Sequence, residues 1–356
     1  MRTRRPARRA AALAAAALVV SCGGGPDGGA PAGAGAEGTE QAVSEPAERV
    51  ARTAHYDLYS DLDVNLHHFL YQWSRHERPL DRWDRVEVAE REDVTGLPPE
   101  ERTAWDEAVA VYRRELANRD LLFTAGMEQL RDVVAGLRAT GYGEEPALVV
   151  ETLDRVRPIY RERWWPRHDA ANRAWVEELL PALVEHEEEI AARLAAAYGG
   201  VFPAPPIRVD VTYYANHLGA YTSAKPHVTV SSSDSSYRMP RALEMIFHET
   251  SHADALTLPL LVSLDRHFGY HDRRPPWWFS HLMIFHTAGE VTRLVLEEAG
   301  ERGYRHYGRD GLYTVNPDRA RQTEVLDRHW RPFLAGETSR DDALAAIAAE
   351  LASDAD

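Results

Sequence analysis

Residues His248-Glu249-Thr250-Ser251-His252 constrain this 356-residue chain more than any other segment. On a helix, the HExxH spacing sets two imidazoles one turn apart on the same face, where they can share one metal ion. Zinc accepts such nitrogens at about 2.0–2.1 Å. The intervening Glu249 lies beside the metal, where it can act as general base on a metal-activated water. His248 and His252 are therefore expected metal ligands, Glu249 an expected catalytic residue, and Zn2+ the expected cofactor, one ion per chain.

The flanking sequence supports a helix. Pro240 suits a first helical turn, because its missing N–H has no intrahelical partner there. In the following stretch RALEMIFHETSHADALTLP, Leu243, Ile246 and Phe247 recur at helical spacing. The pattern places HExxH in mid-helix, with Pro259 as the stop. Before it, Ile207–Tyr213 (IRVDVTY) and His227–Ser231 (HVTVS) are rich in β-branched residues and read as strands. A serine-rich turn joins the second strand to the helix.

A catalytic zinc commonly has three protein ligands and one open position. A second helix is expected from about Trp277, through PPWWFSHLMIFHTAGEVTRLVLEE. It carries His281, His286 and Glu290. His286 and Glu290, four apart, share a face, and His281 lies off it. From Ile207 to Glu298 the sequence resembles the gluzincin metallopeptidases, with His248, Glu249, His252 and Glu290 as the matching residues. That resemblance implies a His-His-Glu site with Glu290 as third ligand. It also implies a last strand along the cleft that pairs with an extended peptide. His281 and His286 remain alternative ligands. Many gluzincins carry an aspartate four residues after the third ligand. Here Leu294 stands there, so Asp254 or His286 would have to support a ligand instead. An oxyanion donor is expected from the stretch GYRHYGRDGLY, which holds Tyr304, His306, Tyr307 and Tyr313, with Tyr313 preferred. The whole chain also resembles a group of uncharacterised bacterial lipoproteins with an HExxH helix and a later Thr-Ala-Gly-Glu helix, a likeness that carries no substrate.

The N-terminus reads as an export leader. Arg2, Arg4, Arg5, Arg8 and Arg9 precede the apolar stretch Ala11–Val20, which is shorter than the roughly 20 residues a membrane-spanning helix needs. The leader closes on Val19-Val20-Ser21-Cys22, which resembles a bacterial lipobox. Cys22 is the chain's one cysteine, so lipidation is expected there and an internal disulfide is excluded. The Gly/Ala/Pro-rich residues after it suit a flexible tether. The expected layout is a signal peptide over 1–22, a tether over 23–47, a helical region over 48–200 and a zincin-like catalytic region over 201–356. The fold class is α+β, mainly helical. The protein is expected to be exported and lipid-anchored on the extracytoplasmic face of a bacterial membrane.

A net charge of −15 disfavours nucleic acid as a partner. The expected partners are a peptide or protein substrate and the membrane, through the lipid anchor. The sequence thus points to a tethered zinc-dependent metallohydrolase, a peptidase by resemblance. The rival reading is a non-catalytic envelope lipoprotein that acts as a binding or scaffold module.

Overall fold

A computed structural model describes residues 47–353, apart from 77–85, 123, 125, 138–143, 216–218 and 224. The leader, Cys22 and all but the last residue of the tether lie outside the described residues.

Five short strands form one mixed sheet in the order β1-β2-β3-β5-β4: β1 (Arg49–Arg52), β2 (Tyr56–Tyr59), β3 (Ile207–Thr212), β4 (Ala220–Tyr221) and β5 (His227–Ser231). β2, β3 and β5 run parallel, and β1 and β4 flank them antiparallel. Parallel neighbours need a long crossover, and the one between β2 and β3 holds α1 (Leu62–His76), α2 (Val88–Thr95), α3 (Pro99–Glu115), α4 (Met127–Val134), α5 (Glu144–Arg163) and α6 (Trp165–Tyr198). The mainly helical α+β class expected from sequence is the class observed. The region read as helical over 48–200 nevertheless contributes two strands to the sheet. Each is only four residues long, and β2 finds its partner β3 about 150 residues later, a pairing no local pattern reveals.

The period-2 alternation of the strands gives the sheet two unlike faces. Val209, Val211, Val228 and Val230 point into a core shared with α6 and with the C-terminal helices. These are α7 (Arg241–Thr250), α8 (Asp254–Gly269), α9 (Phe279–Glu298), α10 (Pro317–Val325), α11 (Arg331–Leu334) and α12 (Arg340–Ser353). The other face carries Arg208, Asp210, His227 and Thr229 toward α1 and α4. There the His227 imidazole bridges Asp210 (2.5 Å) and Asp132 (2.9 Å), and Arg208 bridges Asp210 and Asp61 at 2.9 Å each. Pairing of this kind offsets the cost of taking these charges out of water. A second core, built on Phe69, Trp105, Tyr160 and Trp164, holds α1, α3 and α5 together.

The HExxH segment sits at the C-terminal end of its helix, not in the middle. α7 closes at Thr250, and the chain tightens through bonds from the His252 N–H to Glu249 O (3.1 Å) and from the Ala253 N–H to Thr250 O (3.1 Å). Pro259 stops nothing, because it lies inside the next helix, α8. Every residue of α7 from Ala242 to Thr250 is buried. β5, read as the strand along the cleft, is interior, with β3 on one side and β4 on the other. Its backbone is already paired, and the edge strands of the described sheet are β1 and β4.

Candidate metal centre

His248 and His252 face each other with their Nε2 atoms 3.3 Å apart. Two ligands about 2.0–2.1 Å from one tetrahedral ion stand at about that separation. The third imidazole beside them belongs to His281. Its ring centre lies 5.5 Å from that of His248 and 5.0 Å from that of His252. One ligand atom from each of the three residues lies within 4.8 Å of the others. Burial holds all three imidazoles below the usual histidine range, His252 down to about 4. They are therefore neutral, the state that leaves a ring nitrogen free for a metal. His248 Nδ1 is buried and has no hydrogen-bond partner among the described residues. A donor set of three neutral imidazoles suits zinc, and these residues could hold it.

Glu249 is buried on the same turn, and burial pushes its carboxyl up to about 8, with the Arg131 charge opposing. A cation beside it would pull that value back down.

Glu290 is not part of this group. At about 3.6 residues per turn, the nine residues from His281 to Glu290 make two and a half turns. Glu290 therefore projects from the face of α9 opposite His281. There its carboxylate accepts hydrogen bonds from Arg293 Nε (2.7 Å) and Arg309 Nη2 (3.3 Å), with His306 Nε2 at 3.2 Å and Arg331 Nη2 at 3.3 Å. His286 lies on that face too, 2.9 Å from Asp327. His286, Glu290 and Asp327 are close enough to share an ion. However, Arg309 and Arg331 both pair with Asp327 as well. Three guanidiniums already neutralise two carboxylates, so a further cation would be repelled.

The Thr-Ala-Gly-Glu segment is structural. Thr287 Oγ1 accepts the Trp330 indole N–H at 2.9 Å. A Cβ on Gly289 would lie 2.5 Å from His306 Nδ1, so glycine makes the room in which His306 reaches Glu290.

Tyr313 also belongs to the far face. Its hydroxyl lies 3.1 Å from His306 Nδ1, and its ring packs beside His286. Tyr304 donates to the buried Glu244, and His306 is committed to Glu290. Of the four candidates in that loop, Tyr307 is the one on the near side. Its ring stacks on Phe285 at 6.0 Å and packs on Tyr237 at 5.6 Å. The Tyr237 hydroxyl is held well above its usual range by burial, then by Tyr307, Asp234 and Glu249. Tyr237 thus feels the charge of the general-base candidate Glu249, and Tyr307 packs against Tyr237.

The expected supports from Asp254 and His286 are absent as well. Asp254 is exposed at the start of α8, and His286 faces away. In their place, Phe285 stacks on the His248 ring with centroids 3.6 Å apart and planes 18° from parallel. Phe285 lies four residues after His281 on the same side of α9. Trp278 closes the group, edge-on to His281 at 4.8 Å. Sequence reasoning missed Phe285, Tyr237 and Arg319, which lies over Trp278. The i, i+4 spacing of Phe285 from His281 was the available signal for the first.

Neither the sequence nor the fold finds a match among protein-family models, curated proteins or solved structures.

Proposed function

We propose that this chain is a zinc-dependent metallohydrolase, and a peptidase in the first instance. His248, His252 and His281 are its metal ligands and Glu249 its general base. The observation that carries this reading is the meeting of three neutral imidazoles from two separate helical segments on the turn that holds the buried Glu249, whose side chain makes no hydrogen bond among the described residues. When bound, zinc would serve as a Lewis acid that polarises a carbonyl and acidifies water. Glu249 takes the proton from the attacking water and delivers it to the leaving nitrogen. Tyr237 and Tyr307, both protonated at neutral pH, are placed to donate to a developing oxyanion. β4, an edge strand of the described sheet, would offer backbone groups to an extended substrate.

With its third ligand a histidine, the chain keeps the HExxH helix and sheet of the gluzincin likeness but not its glutamate. The lipobox-like Cys22 supports export and lipid anchoring on the outer side of a membrane, as part of the same proposal. No described helix is long and apolar enough to cross a membrane.

The test is cleavage of an unlabelled peptide mixture by the zinc-loaded protein. Cleavage that stops on chelation and returns with zinc, and that is lost in Glu249→Gln at unchanged zinc content, supports the enzyme. Zinc bound with no cleavage of any peptide supports the rival binding module.

A further inference from the structure

Three arginines are more than nine-tenths buried among the described residues: Arg75, Arg131 and Arg319. Two of them direct their guanidiniums at oxygen. Arg75 donates to Ala117 O at 2.7 Å and to the Tyr71 hydroxyl at 3.2 Å. Arg131 donates to Asp132, Thr229 and Ser223 at 3.2–3.3 Å. Arg319 differs. Its backbone N–H caps onto Asn316, but its guanidinium makes no hydrogen bond or ion pair among the described residues. The group instead lies over the Trp278 ring, with Cζ 3.6 Å from the ring centroid, a distance at which a planar guanidinium stacks on the indole.

The stack has a chemical consequence. A guanidinium that rests its face on an indole keeps its N–H groups in plane and free, in the fork that matches a carboxylate. It also loses water without gaining an anion, a cost that a bound anion would offset. Its position matters equally. Trp278 is 4.8 Å from His281, so the guanidinium carbon lies no farther from that ring than 3.6 Å and 4.8 Å laid end to end. Successive Cα atoms of a peptide are about 3.8 Å apart. A group one or two residues from a peptide bond held at the imidazoles therefore reaches Arg319.

We propose that Arg319, held by Trp278, is the carboxylate-recognition residue of this site, and that the preferred substrate is a peptide with a carboxylate within two residues of the cleaved bond. The carboxylate is either the free C-terminus or an acidic side chain. This inference rests on the metal-site reading above.

The test uses short peptide hydroxamates as metal-directed probes, with binding to the full-length zinc-loaded protein measured by calorimetry. One probe ends in a free carboxylate. A second ends in an amide. A third is amidated but carries a glutamate side chain. The expected result is that one or both acidic probes bind about 10- to 100-fold more tightly than the neutral amide. The free-terminus probe leading would identify a C-terminal carboxylate, and the glutamate probe leading an internal acidic residue. In Arg319→Gln that advantage disappears while the neutral probe binds as before, which also reports that the variant is folded. Arg319→Lys retains only part of the advantage, because an ammonium lacks the fork. Equal binding of all three probes to the parent, or an advantage that survives in Arg319→Gln, overturns the proposal and leaves the metal site standing. A protein that takes up no zinc overturns both.

Discussion

The two faces of α9 carry nearly the same inventory and come to opposite uses. One presents His281 to His248 and His252; the other presents His286 and Glu290 to Asp327. Either trio has the residue types and proximity of a metal site. On the first face Phe285 and Trp278 pack on the imidazoles, and the nearby cation Arg319 rests on Trp278 and not on the histidines, so the imidazoles keep their lone pairs. On the second face Arg293, Arg309 and Arg331 have already answered the carboxylates. Ligand-type residues become a metal site only where no protein cation has taken the metal's place. The same helix thus supplies a candidate reaction centre on one side and the clamp that fixes its orientation on the other.

Several substitutions separate these roles. The largest effect is expected at Glu249. Glu249→Gln lowers the rate of peptide cleavage by about 10²–10⁴-fold, with zinc content and melting temperature unchanged; a rate within threefold of the parent would remove the general base from the account. Glu290→Gln is expected to do the reverse. It leaves three guanidiniums without their shared anion and lowers unfolding stability by about 2 kcal/mol, less than a fully buried pair because the arginines retain solvent contact. Denaturant titration reads that loss, and zinc is retained.

The far face should also give the fold an acid limit. Burial favours the neutral form of Glu290, but the His306 hydrogen bond, the charges of His286 and His306, and Arg293 outweigh it. Asp327 is lowered against its own burial by Arg309 and His286. Both carboxyls thus sit below their unfolded values. Such groups stabilise the fold above the unfolded pKa, near 4, and that stability is lost as pH falls toward the folded value. Melting temperature is therefore expected to drop as pH falls from about 5 toward 2, and to drop less steeply in Glu290→Gln. Parallel curves would show that Glu290 is no part of the acid response.

Smaller effects complete the contrast. Phe285→Leu keeps apolar volume but removes the ring on His248, and zinc affinity should weaken by about 10-fold or less. A competition titration against a chromophoric chelator measures it. Asp254→Ala should change neither zinc affinity nor stability beyond about 0.5 kcal/mol, because the side chain stands in solvent. A marked loss of zinc would return Asp254 to the role first expected of it.

The parts legible in the sequence were those written in local pattern. The start of the HExxH helix, the strands at Ile207 and His227 and the helix after Trp278 all lie within a few residues of where periodicity and composition place them, whereas the end of the HExxH helix does not. What was not legible depended on relations between distant segments. β1 and β2 are too short to announce themselves and take their meaning from β3. The choice between His281 and Glu290 turned on which face of α9 meets α7. Phase along the helix separates the two residues, but only packing says which side is inward. Tyr307 and Tyr313 are six residues apart in one loop, and its 3-10 turn at Tyr307–Asp310 sends them to opposite sides of α9. Arg319 looks like any surface arginine until Trp278 is found beneath it.

The most direct test of the account is the zinc content of three proteins after equal loading: the parent, His281→Ala and Glu290→Ala. The three-histidine centre predicts one zinc per chain in the parent and in Glu290→Ala, and sharply weakened binding in His281→Ala. Zinc lost from Glu290→Ala but kept by His281→Ala would contradict it and restore a His-His-Glu site.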